Sequence, residues 1–241
     1  MHQKVFRRPG LPYNGTMDKG PRKDKYAERR AELGEAALQT LAELGYARTS
    51  LREIAQNSAF SHGVLHYYFT DKLDLILCSV RQYKARCVTR YDEVTTTSTT
   101  FGELLDGFAL ALGETVRTEP TMHRLWYDIR SQSLFEEALR ADVQAIDTSL
   151  ANMVWRVLAR MSELAGAPVR VPIDLAYAMF DGLFQQCLLR HMSGDTEAIA
   201  TMQAHVRLLV EQLIGVPAPA ATSAPQPTKA TPRRKAALTT A

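Results

Sequence analysis

The side chains best suited to a chemical task stand together just before residue 70, and the task they suit is binding a polyanion. Hydroxyl, imidazole and phenol groups hydrogen bond to phosphate oxygens and to base edges. A carboxylate among them would repel nucleic acid, and none is present. On the helix expected there, the outward-facing residues are Ser61, His62, Gly63, Val64, His66, Tyr67 and Tyr68.

Two short helices joined by a tight turn are expected to hold these side chains. Ser50 and Glu53 form a capping-box pattern that predicts a helix from Leu51 to about Asn57. The second helix is expected to run from residue 61 or 62 to 68. This is the sequence form of a helix-turn-helix, whose second helix enters the major groove of DNA. Its buried side should consist of Leu51, Ile54, Ala55, Phe60, Leu65 and Phe69.

Helical periodicity continues through most of the chain, and no segment has a convincing strand pattern. Glycine and proline residues supply the expected helix ends. The polar, β-branched run from Thr95 to Thr100 is expected to interrupt the helices. We therefore predict an all-α fold of about nine helices, of which two are the short ones. The other seven are expected near residues 25–44, 71–93, 101–119, 122–132, 134–164, 172–191 and 195–214.

The charge distribution is uneven along the 241 residues. Residues 1–70 carry a net charge of +4, residues 71–214 carry −5, and residues 215–241 carry +4. A basic end on an acidic body fits a protein that holds a polyanion at one end. Residues 1–24 are expected to be a flexible basic arm, with or without contacts to DNA, and residues 215–241 a disordered basic tail.

Several classes of protein are not expected. No uncharged apolar run approaches the ~20 residues of a membrane span, and the first residues lack the apolar stretch of a signal peptide. A cytoplasmic protein is therefore expected. The three cysteines show no metal-ligand or disulfide pattern, so neither a metal nor another cofactor is expected. An enzyme is also not expected, because the sequence lacks the common catalytic motifs.

The motif around the second short helix resembles the DNA-binding domain of the TetR family of transcriptional regulators. The residues that carry the resemblance are LREIA at 51–55 and FSHGVLHYYF at 60–69, followed by Lys72 and Leu75. The likeness covers about residues 25–80. The number and lengths of the remaining helices, over 81–214, agree with the ligand-binding and dimerisation domain of that family.

The resemblance implies a role for particular residues. Thr49 and Ser50 would cap the first short helix and touch a phosphate, while Tyr67 and Lys72 would bind the DNA backbone. The outward residues of the second helix, His62, Gly63, Val64 and His66, would approach base edges, with Ser61 and Tyr68 beside them. The sequence departs from the family pattern at Ala59, usually glycine, and at His66, usually tyrosine.

A small-molecule inducer and a second subunit are the other partners expected. Aromatic residues mixed with Arg and His favour a pocket for a largely apolar ligand with a polar or anionic end, although core packing is the alternative for each residue. These are Met122, His123, Trp126, Tyr127, Arg130, Trp155 and Phe180. Apolar stripes on the last two helices favour a homodimer interface built from Leu175, Met179, Leu183, Cys187, Ile199, Met202, Val206, Leu209 and Leu213.

The resulting expectation is a homodimeric repressor that binds a palindromic operator and is released by a small molecule. Two recognition helices would then read half-sites about one DNA turn apart, and a small change in their spacing would lose contacts on both sides. The alternatives are an architectural DNA-binding protein without a ligand and, less well supported, a helical enzyme.

Overall fold

The computed structural model describes residues 21–215. Residues 1–20 and 216–241, where the basic arm and tail were expected, lie outside the described residues. Ten α-helices and no strands occur within the described range. They are α1 (Pro21–Leu44), α2 (Leu51–Gln56), α3 (His62–Tyr68), α4 (Lys72–Cys87), α5 (Asp92–Thr97), α6 (Phe101–Thr118), α7 (Pro120–Gln132), α8 (Glu137–Ala165), α9 (Ile173–Met192) and α10 (Ala198–Ile214).

The helix starts and stops follow the capping chemistry of the sequence. The side chains of Ser50, Ser61 and Asp71 each accept a hydrogen bond from a main-chain N–H in the first turn of the helix that follows. This satisfies donors that have no partner within the helix. Gly45 ends α1 with a φ of 77°, a left-handed conformation that glycine adopts without steric cost. The all-α prediction is confirmed.

Several helix boundaries differ from the sequence expectation. Helix α1 begins at Pro21, so residues 21–24 belong to it and not to the expected arm. A tenth helix, α5, includes Thr95 to Thr97, the first half of the run that was expected to be irregular, and residues 98–100 lie outside any helix. The hydroxyls of Thr95, Thr96 and Thr97 each donate to the carbonyl four residues earlier, at 2.6 to 2.9 Å, so these side chains are satisfied inside a helix.

The described residues form two compact units. The first contains residues 21–90 and 115–150, where α1 packs against α4 and α7, and α2 packs against α3. Its core includes Leu33, Leu41, Ile54, Leu65 and Ile76, each fully buried. The expected functional division near residue 80 stays a prediction.

The second unit contains residues 91–114 and 151–215. The Phe108 ring contacts the rings of Tyr91 and Phe180 at centroid distances of 5.2 and 5.8 Å, and α9 packs along α10. A Cβ atom at Gly113 would lie 2.4 Å from the side-chain amide of Gln203, so α6 and α10 approach closely there. Within residues 21–215, no helix is both long and apolar enough to cross a membrane.

Candidate nucleic-acid interface

Helix α3 is only seven residues long, and its start is fixed by a serine cap. The Ser61 hydroxyl oxygen accepts from the N–H of Val64 at 3.3 Å, and Ser50 caps α2 in the same way, accepting from Glu53 at 3.2 Å. Both serines are exposed. Because each hydroxyl uses its oxygen as the acceptor, its own hydrogen stays able to donate to a phosphate oxygen.

The outward face of α3 contains the residues that the sequence placed there. Ser61, His62, Gly63, His66 and Tyr67 are exposed, and Val64 and Tyr68 are half-buried. Leu65 and Phe69 form the inner side, with exposures of 0% and 1%. The expected inner residues Ala55 and Phe60 are only half-buried, because they lie at the edge of this small core.

Two histidines dominate the middle of the exposed face. His62 and His66 are four residues apart, so they lie on the same side of the helix. Their Nε2 atoms are 3.1 Å apart, and their rings meet edge to face. Within residues 21–215, a Cβ at Gly63 would meet no atom beyond its chain neighbours and the backbone of its own helix, which leaves space beside the histidines for a close approach of another molecule.

Tyr67 is the most exposed aromatic side chain at the end of α3, with 73% of its surface accessible. Its ring packs edge to face on Tyr68, at a centroid distance of 5.0 Å, and Tyr68 in turn stacks on Tyr26 of α1 at 4.9 Å. The ring is therefore supported on one side while its hydroxyl faces solvent. This arrangement suits a phenol that donates to a phosphate.

The C-terminal end of α3 is attached to α1 and α4 by one arginine. Arg30 donates to the main-chain carbonyl of Tyr68 at 2.7 Å and to both carboxylate oxygens of Asp74 at 2.6 and 3.1 Å. Its guanidinium also lies 4.6 Å from the centre of the Phe69 ring. The N–H of Thr70 donates to Asp74 at 3.1 Å, so the loop between α3 and α4 joins the same network.

This network has an electrostatic consequence. The hydrogen bonds from Arg30, opposed by partial burial and assisted by the Thr70 N–H, hold the pKa of Asp74 below its ordinary value of 3.8. The same pairing raises the pKa of Arg30. Both groups are consequently charged at neutral pH, and a planar two-point contact of this type fixes direction as well as distance.

Lys72 is half-buried at the first position of α4, and its ammonium has a defined place. The Nζ atom donates to the carbonyl of Tyr46 at 2.5 Å and lies 4.3 Å from the centre of the Tyr46 ring. An ammonium carries three donors, so this contact still leaves hydrogen atoms for a phosphate.

Thr49 differs from its expected role. The side chain is buried, with 3% exposure, and its hydroxyl donates to the carbonyl of Gly45 at 2.7 Å. Thr49 thus holds the turn between α1 and α2 and is removed from the set of phosphate contacts. The substitution of alanine for the usual glycine at residue 59 causes no left-handed strain, since only glycines have positive φ among the described residues.

The residues expected to line a ligand pocket lie in both units. Met122, His123, Trp126, Tyr127 and Arg130 all belong to α7 in the first unit, whereas Trp155 and Phe180 belong to the second. His123 and Trp126 are buried, with 6% and 2% exposure, and Phe180 is buried in its own unit. The remaining four residues are half-buried.

Burial controls the chemistry of this part of α7. It lowers the pKa of His123 well below 6.5, with the nearby charges of Lys84 and Arg90 acting in the same direction. His123 is thus neutral, and its Nε2 atom lies 3.1 Å from the Tyr83 hydroxyl, which donates to Glu119 at 2.7 Å.

A lysine that was not among the expected pocket residues lies beside the indole of Trp126. Arg130 forms an ion pair with Asp147 at 3.2 Å. Lys84 of α4 is instead buried, with 3% exposure, and its Nζ atom lies 4.9 Å from the centre of the Trp126 ring. The Nε1–H of Trp126 is buried and has no hydrogen-bond acceptor among residues 21–215. A buried donor without an acceptor costs free energy, unless a bound molecule supplies the acceptor.

The expected dimer interface needs correction. Five of its residues are buried within one subunit, with exposures of 1 to 8%, namely Cys187, Ile199, Met202, Val206 and Leu213. They face inward because the most apolar stripe of each helix packs inside its own unit. Leu175 is 43% exposed, and Met179, Leu183 and Leu209 are half-buried.

A different face, without exposed charged residues beyond the first turn of α9, lies on the outside of α9 and α10. After the first turn of α9, none of the exposed residues of either helix is Asp, Glu, Lys or Arg. Charge is depleted in this way at the centres of protein interfaces. The face consists of Leu175, Ala178, Gly182, Gln185, Gln186, Leu189 and Met192 on α9, and Ala200, Ala204, His205, Leu208 and Gln212 on α10.

Several residues that position the recognition helix were not found from the sequence. Arg30 and Asp74 are 44 positions apart, and the sequence contains no pattern that pairs them. Tyr26 and Tyr46 likewise have no local signal, because their partners lie on other helices. The chemistry of α3 itself, by contrast, was evident in the sequence, because it is a local feature.

A family model described as "Bacterial regulatory proteins, tetR family" matches residues 33–77, which include α2, α3 and the first six residues of α4. The HTH-type transcriptional repressor AcnR of Corynebacterium efficiens is 29% identical over 185 residues, which cover 73% of this chain and 89% of AcnR. The HTH-type transcriptional regulator BetI of Burkholderia thailandensis is 27% identical over 173 residues, covering 70% of this chain and 87% of BetI.

Solved structures share the fold at lower sequence identity. A TetR transcription regulator from Haloarcula marismortui superimposes with a TM-score of 0.64 at 20% identity, covering 78% of this chain and 99% of the other. The transcriptional regulator FadR from Bacillus subtilis, in complex with stearoyl-CoA, has a TM-score of 0.59 at 19% identity, covering 74% of this chain and 96% of FadR.

Proposed function

Because this chain belongs to the TetR family of bacterial transcriptional regulators, we propose that it is a homodimeric repressor that binds a palindromic operator and leaves it when a small molecule binds. Regulation of transcription through a helix-turn-helix follows from the family. The homodimer, the symmetry of the operator and the release by a small molecule are what we propose. Since its partner is genomic DNA, the cytoplasm is its proposed place of action.

The observation that carries the proposal is the exposed face of α3. Between Ser61 and Tyr68 every exposed side chain is small, hydrogen-bonding or aromatic, and none is a carboxylate. We assign base contacts to His62, Gly63, Val64 and His66, and phosphate contacts to Ser50, Ser61, Tyr67 and Lys72. Tyr68 supports Tyr67, because its ring lies against both Tyr67 and Tyr26.

The outer face of α9 and α10 supports the homodimer. Leu189 and Leu208 are 64% and 57% exposed, and they are accompanied by small residues that allow helices to approach closely. Two copies of this face related by a two-fold axis would form a four-helix bundle, which is a common dimer interface.

The proposed effector site includes the buried part of α7. The indole N–H of Trp126 requires an acceptor, and the ammonium of Lys84 beside it favours an oxygen atom with negative charge. The indole and the Tyr127 ring supply apolar area. We therefore propose an effector with an apolar body and an acidic or carbonyl oxygen. Its binding should change the intrinsic tryptophan fluorescence in a saturable way, over the same concentration range in which it releases DNA.

The DNA-binding part of the proposal is tested with fragments selected by the purified protein and with Lys72→Ala and Tyr67→Phe. Each variant should bind selected and random DNA more weakly by the same factor, because each loses a backbone contact. For Lys72→Ala the slope of log K against log salt concentration should fall by about two per dimer, one for each lost phosphate contact.

The matched control is Arg86→Ala, which removes a cation from the same helix. Arg86 is already paired with Glu35 at 2.8 Å, and the salt slope should stay at the wild-type value. An unchanged slope in Lys72→Ala itself would contradict the assigned phosphate contact.

A further inference from the structure

Tyr46, in the turn between α1 and α2, connects three elements through three different chemical groups. Its main-chain N–H donates to the Asp128 carboxylate of α7 at 2.7 Å. Its hydroxyl donates to the carboxylate of Glu136, in the segment between α7 and α8. Its carbonyl accepts from Lys72 at the start of α4 at 2.5 Å.

The turn lies directly against α7. A Cβ atom at Gly45 would be 3.1 Å from the same Asp128 oxygen that accepts from Tyr46. Four residues earlier on α7, Arg124 donates to the carbonyl of Ala42 at 2.6 Å, near the end of α1. Two side chains one turn apart on α7 thus hold the last turn of α1 and Tyr46, two residues beyond its end.

The phenol of Tyr46 is a stable donor. Burial, together with its hydrogen bond to Glu136 and the charge of that carboxylate, raises the pKa of Tyr46 to about 12. The hydroxyl keeps its hydrogen throughout the physiological pH range. The hydroxyl can therefore donate to Glu136 over that range.

The ammonium of Lys72 takes its position from Tyr46 alone among the contacts described. It is bound by the Tyr46 carbonyl and lies 4.3 Å from the centre of the Tyr46 ring. Both contacts belong to one residue, so a displacement of that residue displaces the ammonium. Asp128, the acceptor for Tyr46, is two positions along α7 from Trp126.

We propose that Tyr46 is a positioning residue that transmits the position of α7 to the phosphate-binding ammonium of Lys72. A shift of α7 pulls the Asp128 carboxylate from the Tyr46 N–H, the turn moves, and Lys72 loses the direction in which it meets a phosphate. The inference rests on the proposed function, because it requires Lys72 to contact DNA.

A double-mutant cycle tests this role with a short DNA duplex of random sequence as the probe. Asp128→Ala, Lys72→Ala and the double variant are compared with the wild-type protein over a range of salt concentrations. Asp128→Ala should weaken binding by about 3- to 10-fold and lower the salt slope, as Lys72→Ala does. In the Lys72→Ala background it should change affinity by less than about twofold, because the two residues act through one contact.

A purely structural role for Asp128 gives a different result. It would weaken binding by the same factor with or without Lys72, and this additive outcome would overturn the proposal. An unchanged affinity in Asp128→Ala would do the same. A wild-type protein that binds no duplex would instead overturn the proposed function itself, so the two failures are distinguishable.

A second variant and melting curves test whether a loss of DNA binding comes from unfolding. Tyr46→Phe keeps the ring and the main chain and removes only the bond to Glu136; it should show the same non-additivity with Lys72→Ala, with a smaller effect. If Asp128→Ala is unfolded at the assay temperature, the Tyr46→Phe cycle decides, and additive behaviour there overturns the proposal. Asp142→Ala, which loses an ion pair with Arg81 elsewhere in the same unit, should retain wild-type DNA affinity.

Discussion

At the scale of single residues, we propose that His62 and His66 distinguish one base pair from another. Both are exposed on the outer face of α3, and their Nε2 atoms lie 3.1 Å apart. A neutral imidazole offers one donor and one acceptor, and the edge of each base pair presents a distinct pattern of these groups in the major groove.

We therefore expect His62→Ala and His66→Ala each to alter sequence preference while leaving binding to random DNA nearly unchanged. The expected loss of discrimination is about 1–3 kcal/mol at the affected half-site position. Sequencing the DNA selected by each variant measures it. If wild type and both variants select one identical consensus, neither histidine reads a base.

Residues illustrate what the sequence can and cannot predict. The cap Ser50 and the outward face of α3 were predicted correctly, because capping and helical periodicity involve residues within four positions of each other. Thr49 was assigned to phosphate from the resemblance, yet its hydroxyl is taken by Gly45. The hydrogen-bond partner of the Thr49 hydroxyl depends on the conformation of the turn after α1, which the sequence does not show.

At the scale of elements, the position of α3 depends on the Arg30 and Asp74 network. The pKa of Asp74 is lower in the folded protein than the ordinary value of 3.8, so folding favours its ionised form. Its contribution to stability is complete above that ordinary value and is lost as the pH falls through the lower, folded value.

Asp74→Asn should accordingly destabilise the protein at neutral pH by about 1–2 kcal/mol, and less at acidic pH, where the wild-type carboxylate is itself protonated. Urea unfolding measured at several pH values between 2 and 7 gives both quantities. Glu32→Gln is the control. Glu32 pairs with Arg29 at the surface, where such a pairing contributes little to stability. A pH-independent effect of Asp74→Asn would contradict this account.

Elements also show why some helix boundaries could not be predicted. The threonine run was expected to be irregular, since β-branched residues have a low intrinsic preference for helix. In the structure each hydroxyl of Thr95 to Thr97 bonds to a carbonyl one turn earlier. Helix α8 begins at Glu137, three residues later than expected, after a turn that leaves Leu134 and Phe135 exposed.

At the scale of the whole molecule, the prediction concerns the dimer. Apolar periodicity identified α9 and α10 but could not separate the stripe that packs inside the subunit from the face left outside. Leu189→Glu and Leu208→Glu place a charge on the outer face, which costs free energy only when a second subunit covers it. Both variants should remain helical and sediment as monomers.

Two controls accompany this measurement. Leu110→Glu changes an exposed leucine on α6, with 58% exposure, and should leave the dimer intact. Val206→Glu changes a residue that is only 1% exposed and should reduce helix content, which would show that it belongs to the core of one subunit. Dimeric Leu189→Glu and Leu208→Glu proteins would exclude this face as the interface.

The attachment of α3 uses main-chain groups of the helix and the loop after it. Arg30 and Tyr26 both donate to the carbonyl of Tyr68, and Asp74 accepts from the N–H of Thr70. Main-chain groups are the same whatever side chains they accompany. The exposed positions of α3 can therefore be exchanged during evolution, or by design, while the helix keeps its position, so that a regulator of this build acquires a new target sequence without a new scaffold.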